Sequence, residues 1–420
     1  MKRLQTILMA SFLIMPFVAY LACVAWFSVN APFWDDYPRL LESVNSILQR
    51  NTLHEQMYFL LIPHPSGHLP VVTRLIMLGE IQWFGGIHFT HLLIAANIGW
   101  IATGLLLCAY LKKQHGVGWR WLAPIPLLMA GITHWEAMDF TLTAWQMYWG
   151  GCFLALLTLL ALEKRHGFLA AISAMLALFL SGSALALYPI ALLYLLYRRR
   201  WLSLAAFALP SAIVLPLYLQ WSPIARQTSM GTPDMLTLIS NALVFIGNLI
   251  STGQYDLSAL TGVYCGMGLL LMVLGLYGAM KTQGADGLKL LLIYLGALAL
   301  MAAGGREATA VSRYSMFSVL TAVTVYSLFA MHMHRRSTRP WLPVIAMVIA
   351  AGLSIHSYVS CIPLLRQNHH DRSLSIQQFT ETGDPAHLLW WDKPRAAGIL
   401  KDAKDLGIYD YRKAVPATTD

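Results

Sequence analysis

Long apolar stretches dominate the pattern of hydrophobic and polar positions along the chain. The stretches 89–111, 168–197 and 314–330 contain no Asp, Glu, Lys or Arg. The first two exceed the roughly 20 residues that a helix needs to cross a bilayer. Lipid offers no partner to open backbone groups, so membrane-spanning stretches of this kind must be helical. The pattern therefore predicts an all-α fold, a polytopic transmembrane helical bundle.

The same pattern predicts about eleven spans. We place them near 7–28, 88–111, 119–134, 143–162, 168–181, 183–197, 201–220, 258–280, 289–304, 314–333 and 341–358. The basic start and the apolar run after it are also typical of a signal peptide. That run is longer than a signal core and no small-residue cleavage site follows it, so we expect it to remain as the first helix.

Three further segments are apolar on one side only. Segments 37–50, 70–84 and 236–252 are bounded by charge or glycine, which favours juxtamembrane helices lying along the outer membrane surface. After residue 358 the hydropathy falls, and residues 394–406 form a short amphipathic stretch. We therefore expect a transmembrane domain over 1–358 and a C-terminal tail over 359–420. The tail is a cap over the membrane domain or simply an ordered tail.

Composition and charge support a membrane protein and predict its orientation in the membrane. The chain is 57% hydrophobic and 12% charged, against about 25% charged residues in soluble domains. One set of loops holds fifteen Lys and Arg against two acids, and these loops lie at 1–6, 112–120, 163–166, 198–200, 281–289 and 334–340. By the positive-inside rule this set is cytoplasmic, which places the amino terminus inside and the carboxyl terminus outside. The net charge of +9 then reflects membrane orientation and indicates no nucleic-acid partner.

The opposite loops carry the candidate chemistry, beginning with Asp35 and Asp36 just past the first span. A helix N-cap before Pro38 explains one of these acids but not both. Adjacent carboxylates at a membrane boundary raise each other's pKa, which suits a general base near neutral pH. We therefore assign both as catalytic candidates, with Asp35 as the base. No metal or other cofactor is predicted, and a divalent cation at the acidic pair is the alternative.

Other exterior residues are predicted to bind substrate. Two histidines four apart, His64 and His68, lie in a Pro- and Gly-rich segment that favours a lined pocket over metal binding. Arginines are scarce on this side and can donate two hydrogen bonds to a phosphate, although they could also simply snorkel to the interface. Acidic residues near a later exterior boundary are weaker candidates. The predicted binding set is His64, His68, Arg74, Glu136, Arg306, Arg313 and Tyr314.

These motifs, in this order, resemble the GT-C superfamily of membrane glycosyltransferases. The matching parts are the sequence Trp-Asp-Asp-Tyr at 34–37, the His- and Pro-led juxtamembrane segment 68–86 that ends in Phe-Gly, and the late loop with Arg306 and Arg313. The resemblance implies a polyprenyl-monophosphate-linked sugar as donor, inverting transfer, and a glycan, lipid or protein acceptor. It also implies a multi-pass protein of a bacterial inner membrane whose active site faces the periplasm.

Two other functions compete with this interpretation. A transporter or flippase would place ionisable residues or broken helices near the bilayer midplane, whereas these spans are almost free of charge. An O-antigen polymerase or ligase would use a diphosphate-linked donor. The identity of the sugar and of the acceptor stays open at this point.

Overall fold

The computed structural model describes residues 2–63, 69–222, 234–252, 257–305, 311–336 and 341–413. This part of the chain is almost entirely helical and contains no strand, which confirms the predicted all-α fold. Its α-helices are α1 (Lys2–Phe27), α2 (Glu42–Leu48), α3 (Leu53–Leu61), α4 (Val71–Phe84), α5 (Phe89–His115), α6 (Trp119–Leu122), α7 (Pro124–Met129), α8 (Trp135–Asp139), α9 (Thr141–Ala144), α10 (Ala155–Glu163), α11 (Gly167–Leu178), α12 (Leu187–Tyr197), α13 (Trp201–Trp221), α14 (Met235–Gly247), α15 (Leu257–Lys281), α16 (Asp286–Gly305), α17 (Ser312–Arg336), α18 (Trp341–Thr382) and α19 (Lys393–Asp405).

Among these described elements, seven helices are long and apolar enough to cross a membrane. They are α5, the continuous run Thr141–Glu163, α13, α15, α16, α17 and α18. Large apolar side chains on their outer faces are exposed, including Leu202 on α13 and Val348 on α18. Such faces fit a lipid bilayer, because soluble proteins rarely expose extended apolar patches. The total of eleven spans and their orientation stay predictions.

The predicted span 119–134 is not one helix. It divides into α6 and α7 and ends at Met129, followed by non-helical residues up to α8. Pro124 and Pro126 remove two backbone N–H donors, and Gly131 follows shortly after. Proline in a helix both removes a hydrogen bond and crowds the preceding turn, which explains the break. The segment is apolar, as the hydropathy pattern indicates, but it does not form one continuous helix.

The predicted juxtamembrane segments are helical. A π-helical turn at Tyr37–Leu41 runs into α2, α4 covers the second segment, and α14 covers the third. The N–H of Val72 at the start of α4 donates to the carbonyl of Phe179 (3.3 Å), which lies in the turn after α11. Helix α4 therefore covers the connection between α11 and α12, two helices of less than spanning length.

The two sets of loops gather at two ends of the bundle. Helix α5 joins these ends and is about 40 Å long for its 27 residues. Near its last turn, Tyr110 donates to Glu163 (2.8 Å), and Glu163 also accepts from the N–H of Gly287 (2.8 Å). Near its first turn, the N–H of Phe89 donates to Asn30 (2.8 Å). We call these the basic end and the acidic end, after the charges in their loops.

Helix α18 continues without interruption for 42 residues, so the predicted boundary at 358 falls inside it. Cys361, just past that boundary, is fully buried. Beyond the apolar half of α18, the chain turns back and α19 packs on α2, where Asn45 donates to the carbonyl of Ile399 (3.0 Å). A separate buried cluster joins Tyr37 and Leu40 to Ile399 and Leu400. The chain after α18 therefore packs back onto residues 37–48 at the acidic end, and we call residues 359–413 the cap.

Candidate functional site at the acidic end

The loop after α1 presents the acidic pair on a strained turn. Trp34 has a φ of 46°, a left-handed conformation that is uncommon for a bulky residue. The turn is closed by the N–H of Asp36, which donates to the carbonyl of Phe33 (2.9 Å). Phe33 is held by stacking on Phe140, with ring centroids 4.6 Å apart. Backbone strain of this kind persists only where packing maintains it, and it often accompanies functional sites.

Asp35 and Asp36 have opposite environments. The Asp35 side chain is 48% exposed and pairs with Arg39 (3.0 Å), whose position four residues later is one helical turn away. The Asp36 side chain is buried. Its Oδ1 accepts from the N–H of Leu142 (2.9 Å) and its Oδ2 from the N–H of Phe33 (3.2 Å). Asp36 therefore joins the first loop to α9.

Asp36 is not the helix cap that its position before Pro38 predicts. No side-chain capping bond forms at the π-helical turn, and the residue itself has helical backbone angles. Burial raises the pKa of Asp36 to about 6, and the N–H of Leu142 and the nearby charge of Arg372 only partly oppose that rise. Desolvation of the charged form is the dominant effect. The pKa of Asp36 therefore lies closer to neutral pH than that of a solvent-exposed aspartate.

A buried ion pair links the cap to this loop. Arg372 of α18 pairs with Asp139 of α8 (2.8 Å) and donates to the carbonyl of Ala31 (2.9 Å). Its guanidinium also lies over the ring of Phe33, 4.9 Å from the centroid. Asn368, one turn earlier on α18, donates to the other carboxylate oxygen of Asp139. Arg372 is not among the candidates predicted from sequence, because its partners become neighbours only when α18 continues past the apolar segment.

Glu136 and Arg313 meet at the amino-terminal end of α17. Glu136 accepts from the N–H of Arg313 (3.2 Å), and its own N–H donates to the hydroxyl of Ser312 (3.3 Å). Ser312 in turn donates to the carbonyl of Thr133 (2.8 Å). A carboxylate is favourable at a helix amino terminus, where backbone N–H groups lack partners. Glu136 thus positions the Arg313 backbone, while the Arg313 side chain stays half-buried beside it.

Two cavities meet at the acidic pair. The first, which we call the acidic cavity, has a volume of about 330 Å³; it is lined by Phe33, Trp34, Asp35, Asp36, Trp135, Glu136, Asp139, Phe140, Leu142, Thr143, Arg313 and Asn368. The second, the tryptophan cavity, has a volume of about 450 Å³ and lies between α2, α3 and the cap. Asp35 lines both cavities. It is therefore the carboxylate through which groups bound in the two cavities could react.

The structure places two other predicted binding residues outside the acidic cavity, although Arg74 lines the tryptophan cavity. Arg74 is buried in α4 and donates to the carbonyls of Leu60 and Ile62 (both 2.8 Å), so it closes the end of α3. Burial lowers its pKa to about 10. Tyr314 lies on α17 beside Phe245, with ring centroids 5.5 Å apart, and lines a different, smaller cavity.

His64, His68 and Arg306 lie outside the described residues. The part of the chain that the structure describes contains no group of three or more His, Cys, Asp or Glu that could hold a metal ion. In the acidic pair, one carboxylate is engaged by a guanidinium and the other by two backbone N–H groups. These residues therefore fit hydrogen bonding and proton transfer better than a metal.

No family model, no curated protein and no solved structure matches the chain. The resemblance to GT-C glycosyltransferases consequently rests on the short motifs alone, and the residues of the acidic cavity have to support any function. Independently of that resemblance, the described part of the chain has an all-helical fold, several membrane-length apolar helices and a polar cavity at one end.

Proposed function

We propose that the protein is an inverting membrane glycosyltransferase. It moves a sugar from a polyprenyl-monophosphate donor to a hydroxyl of a glycan, lipid or protein acceptor. Asp35 takes the proton of that hydroxyl, whose oxygen attacks the anomeric carbon. The bond between that carbon and the phosphate oxygen breaks, and its electron pair leaves with the phosphate. Such transfer passes through an oxocarbenium-like state and needs positive charge beside the departing group.

One observation carries the proposal: Asp35, Asp36, Glu136 and Arg313 line a single cavity although they come from three distant stretches. Each was a candidate from sequence alone. A half-exposed carboxylate and a half-buried guanidinium in one space supply a base for the acceptor and a cation for the phosphate. Asp36, held by two backbone N–H groups, acts as a positioning residue that fixes the turn presenting Asp35.

The proposal includes the topology. The basic end faces the cytoplasm of a bacterium, and the acidic end with its cap faces the periplasm across the inner membrane, in line with the charge distribution. The donor is membrane-bound, so no soluble nucleotide sugar is required. Cysteine-accessibility labelling is expected to find Lys113 and Arg199 inside and Asp35 outside. A cytoplasmic Asp35 would overturn the proposed function.

A direct assay tests the reaction. Membranes containing the protein should transfer sugar from a monophosphate-linked donor and not from a diphosphate-linked one. Mass spectrometry of cell-surface glycans with and without the intact gene should then reveal one missing sugar and so name donor and acceptor together. Use of diphosphate donors alone would instead favour an O-antigen polymerase or ligase.

A transporter is the second candidate, because one broken crossing carries buried polar groups. Between α7 and α8 the buried His134 lies 3.4 Å from the hydroxyl of Tyr20, which donates to Asn97. Broken helices with buried polar groups are common at transport sites. Proteoliposomes with a fluorescent lipid-linked sugar separate the two functions, since a flippase moves the lipid between leaflets without consuming the donor.

A further inference from the structure

We propose that the tryptophan cavity binds a carbohydrate ring of the acceptor, with Trp391 of the cap as its stacking platform. The inference rests on the proposed function and assigns the acceptor class of that site. The cavity is lined by Asp35, Pro38, Arg39, Glu42, Ser43, Ser46, Phe59, Ile62, Pro63, Arg74, Trp390, Trp391 and Arg395. Its volume of about 450 Å³ lies within the range of small-molecule sites, about 300–1,000 Å³.

Two adjacent tryptophans line the cavity in different environments: Trp390 is packed into the protein, and Trp391 is exposed. Trp390 is 5% exposed and stacks on Tyr37, with ring centroids 5.9 Å apart and planes inclined by 11°. Trp391 follows it and is 76% exposed, yet it lines the cavity. The first indole therefore anchors the segment, which leaves the second one available to a ligand. An indole offers a flat apolar face with a polar N–H, which matches the apolar face and hydroxyl rim of a sugar ring.

The remaining wall supplies hydrogen-bonding groups. Arg395 of α19 makes a bidentate contact with Glu42 of α2, with Nε–Oε1 and Nη2–Oε2 distances of 3.1 and 2.8 Å. This pair connects the cap to the first exterior loop along the cavity. Ser43 and Ser46 add hydroxyl groups on the same side. Because the carboxylates are paired with guanidiniums, the cavity favours a polyhydroxylated ligand that is neutral or weakly acidic.

Asp35 connects this cavity with the proposed transfer reaction. It lines both cavities, while Arg313 lines only the acidic cavity. A donor phosphate beside Arg313 therefore leaves the tryptophan cavity to the acceptor, whose hydroxyl reaches the Asp35 carboxylate from the cap side. Since the cap supplies Trp391 and Arg395, it determines which acceptor sugar fits.

The test uses the full-length protein in nanodiscs and two readouts. Binding of a panel of lipid-free neutral and N-acetylated oligosaccharides is followed by tryptophan fluorescence, and acceptor and donor KM are measured during transfer. Trp391→Ala should raise acceptor KM about tenfold, the effect of losing one aromatic contact, and leave donor KM unchanged. Trp391→Phe should restore part of the binding. Trp83→Ala is the matched control, because Trp83 is 82% exposed and lies outside the cavity.

A second variant changes another lining residue of the cavity, Ser46 of α2. Ser46→Phe fills the cavity from α2 and should also weaken oligosaccharide binding without changing donor KM. Unchanged acceptor KM and unchanged binding in both variants would overturn the inference and leave the proposed transfer intact. Weaker binding in Ser46→Phe together with normal acceptor KM and binding in Trp391→Ala would overturn the assignment of Trp391 as the stacking platform. Oligosaccharide binding that depends on Trp391, without transfer from any donor, would refute the proposed function and keep the binding site.

Discussion

The two ends of the bundle use their carboxylates differently. At the basic end, Glu163 accepts from Tyr110 and from the N–H of Gly287, and Asp286 accepts from Tyr194 and Arg198. Each of these acids joins helices that are distant in sequence. The basic end is therefore closed by its charges, and both acids have structural roles.

At the acidic end, only part of the charge is used in this way. Asp36 and Asp139 are bonded like the acids of the basic end, and they are also buried. Asp35 is half-exposed and lines two cavities, and Glu136 lines one of them. Charge at a predicted membrane boundary is therefore common to both ends. The acidic end differs in that Asp35 is a half-exposed carboxylate that lines two open cavities.

The largest expected effect is on Asp35. Asp35→Asn should lower transfer by about 10²–10⁴-fold, the usual contribution of a general base, while leaving the protein folded. Glu163→Gln is the matched change at the basic end and should leave turnover near the wild-type value. Both are measured as turnover at equal membrane expression. Substantial activity in Asp35→Asn would remove the functional difference between the two ends.

Breaking the buried ion pair should have the next largest effect. Arg372→Met leaves Asp139 buried without its partner, which typically destabilises a protein by about 3–5 kcal/mol. The cap should loosen, as seen in faster proteolysis after residue 358 and a lower unfolding temperature. Arg366→Met on the same helix is the control, because Arg366 is exposed. Equal stability of the two variants would show that the cap is held without this pair.

Asp36 should make stability depend on pH. Burial raises its pKa from 3.8 to about 6, so the folded protein binds this proton more tightly than the unfolded chain. Lowering the pH from 7 to 4 should therefore stabilise the wild type relative to Asp36→Asn, by at most about 3 kcal/mol. Unfolding temperatures of both proteins across this pH range provide the measurement. A wild-type stability that, measured relative to Asp36→Asn, stays constant or falls toward pH 4 would contradict the burial of this acid.

The smallest expected effect compares one arginine from each end. Arg313→Ala should reduce donor use about tenfold, which is the lower end of the roughly 1.5–3 kcal/mol typical of a charge-assisted hydrogen bond, because Arg313 is only half-buried. Arg313→Lys should lose less, because the charge remains and only the planar geometry is lost. Arg198→Ala removes an ion pair of the basic end and should not change donor KM. Normal donor affinity in Arg313→Ala would favour snorkelling to the interface instead.

Apolar length determined most of the helical framework in advance. The apolar stretch 89–111 forms α5, and the segment 70–84, which is apolar on one side, forms α4. A stretch in lipid must satisfy its own backbone hydrogen bonds, so its helical structure can be predicted from the local sequence. Local breaks were harder to predict. Pro124 and Pro126 interrupt the segment 119–134, whereas the helical pattern of α18 continues through 358 although its hydropathy falls. Hydropathy indicates which stretches can lie in lipid. The position of a helix end depends instead on backbone hydrogen bonds and capping.

The sequence pattern also indicated the candidates for the site, because Asp35, Asp36, Glu136 and Arg313 are among the charged residues at the predicted exterior boundaries. Their different environments follow from the tertiary packing. It buried Asp36 against the N–H of Leu142, left Asp35 open to two cavities, and brought Arg372 and Trp391 of the cap to the first loop. Burial and pairing depend on contacts between residues more than a hundred or even three hundred positions apart. No local pattern carries that information, since each partner's position follows from the packing of the whole bundle.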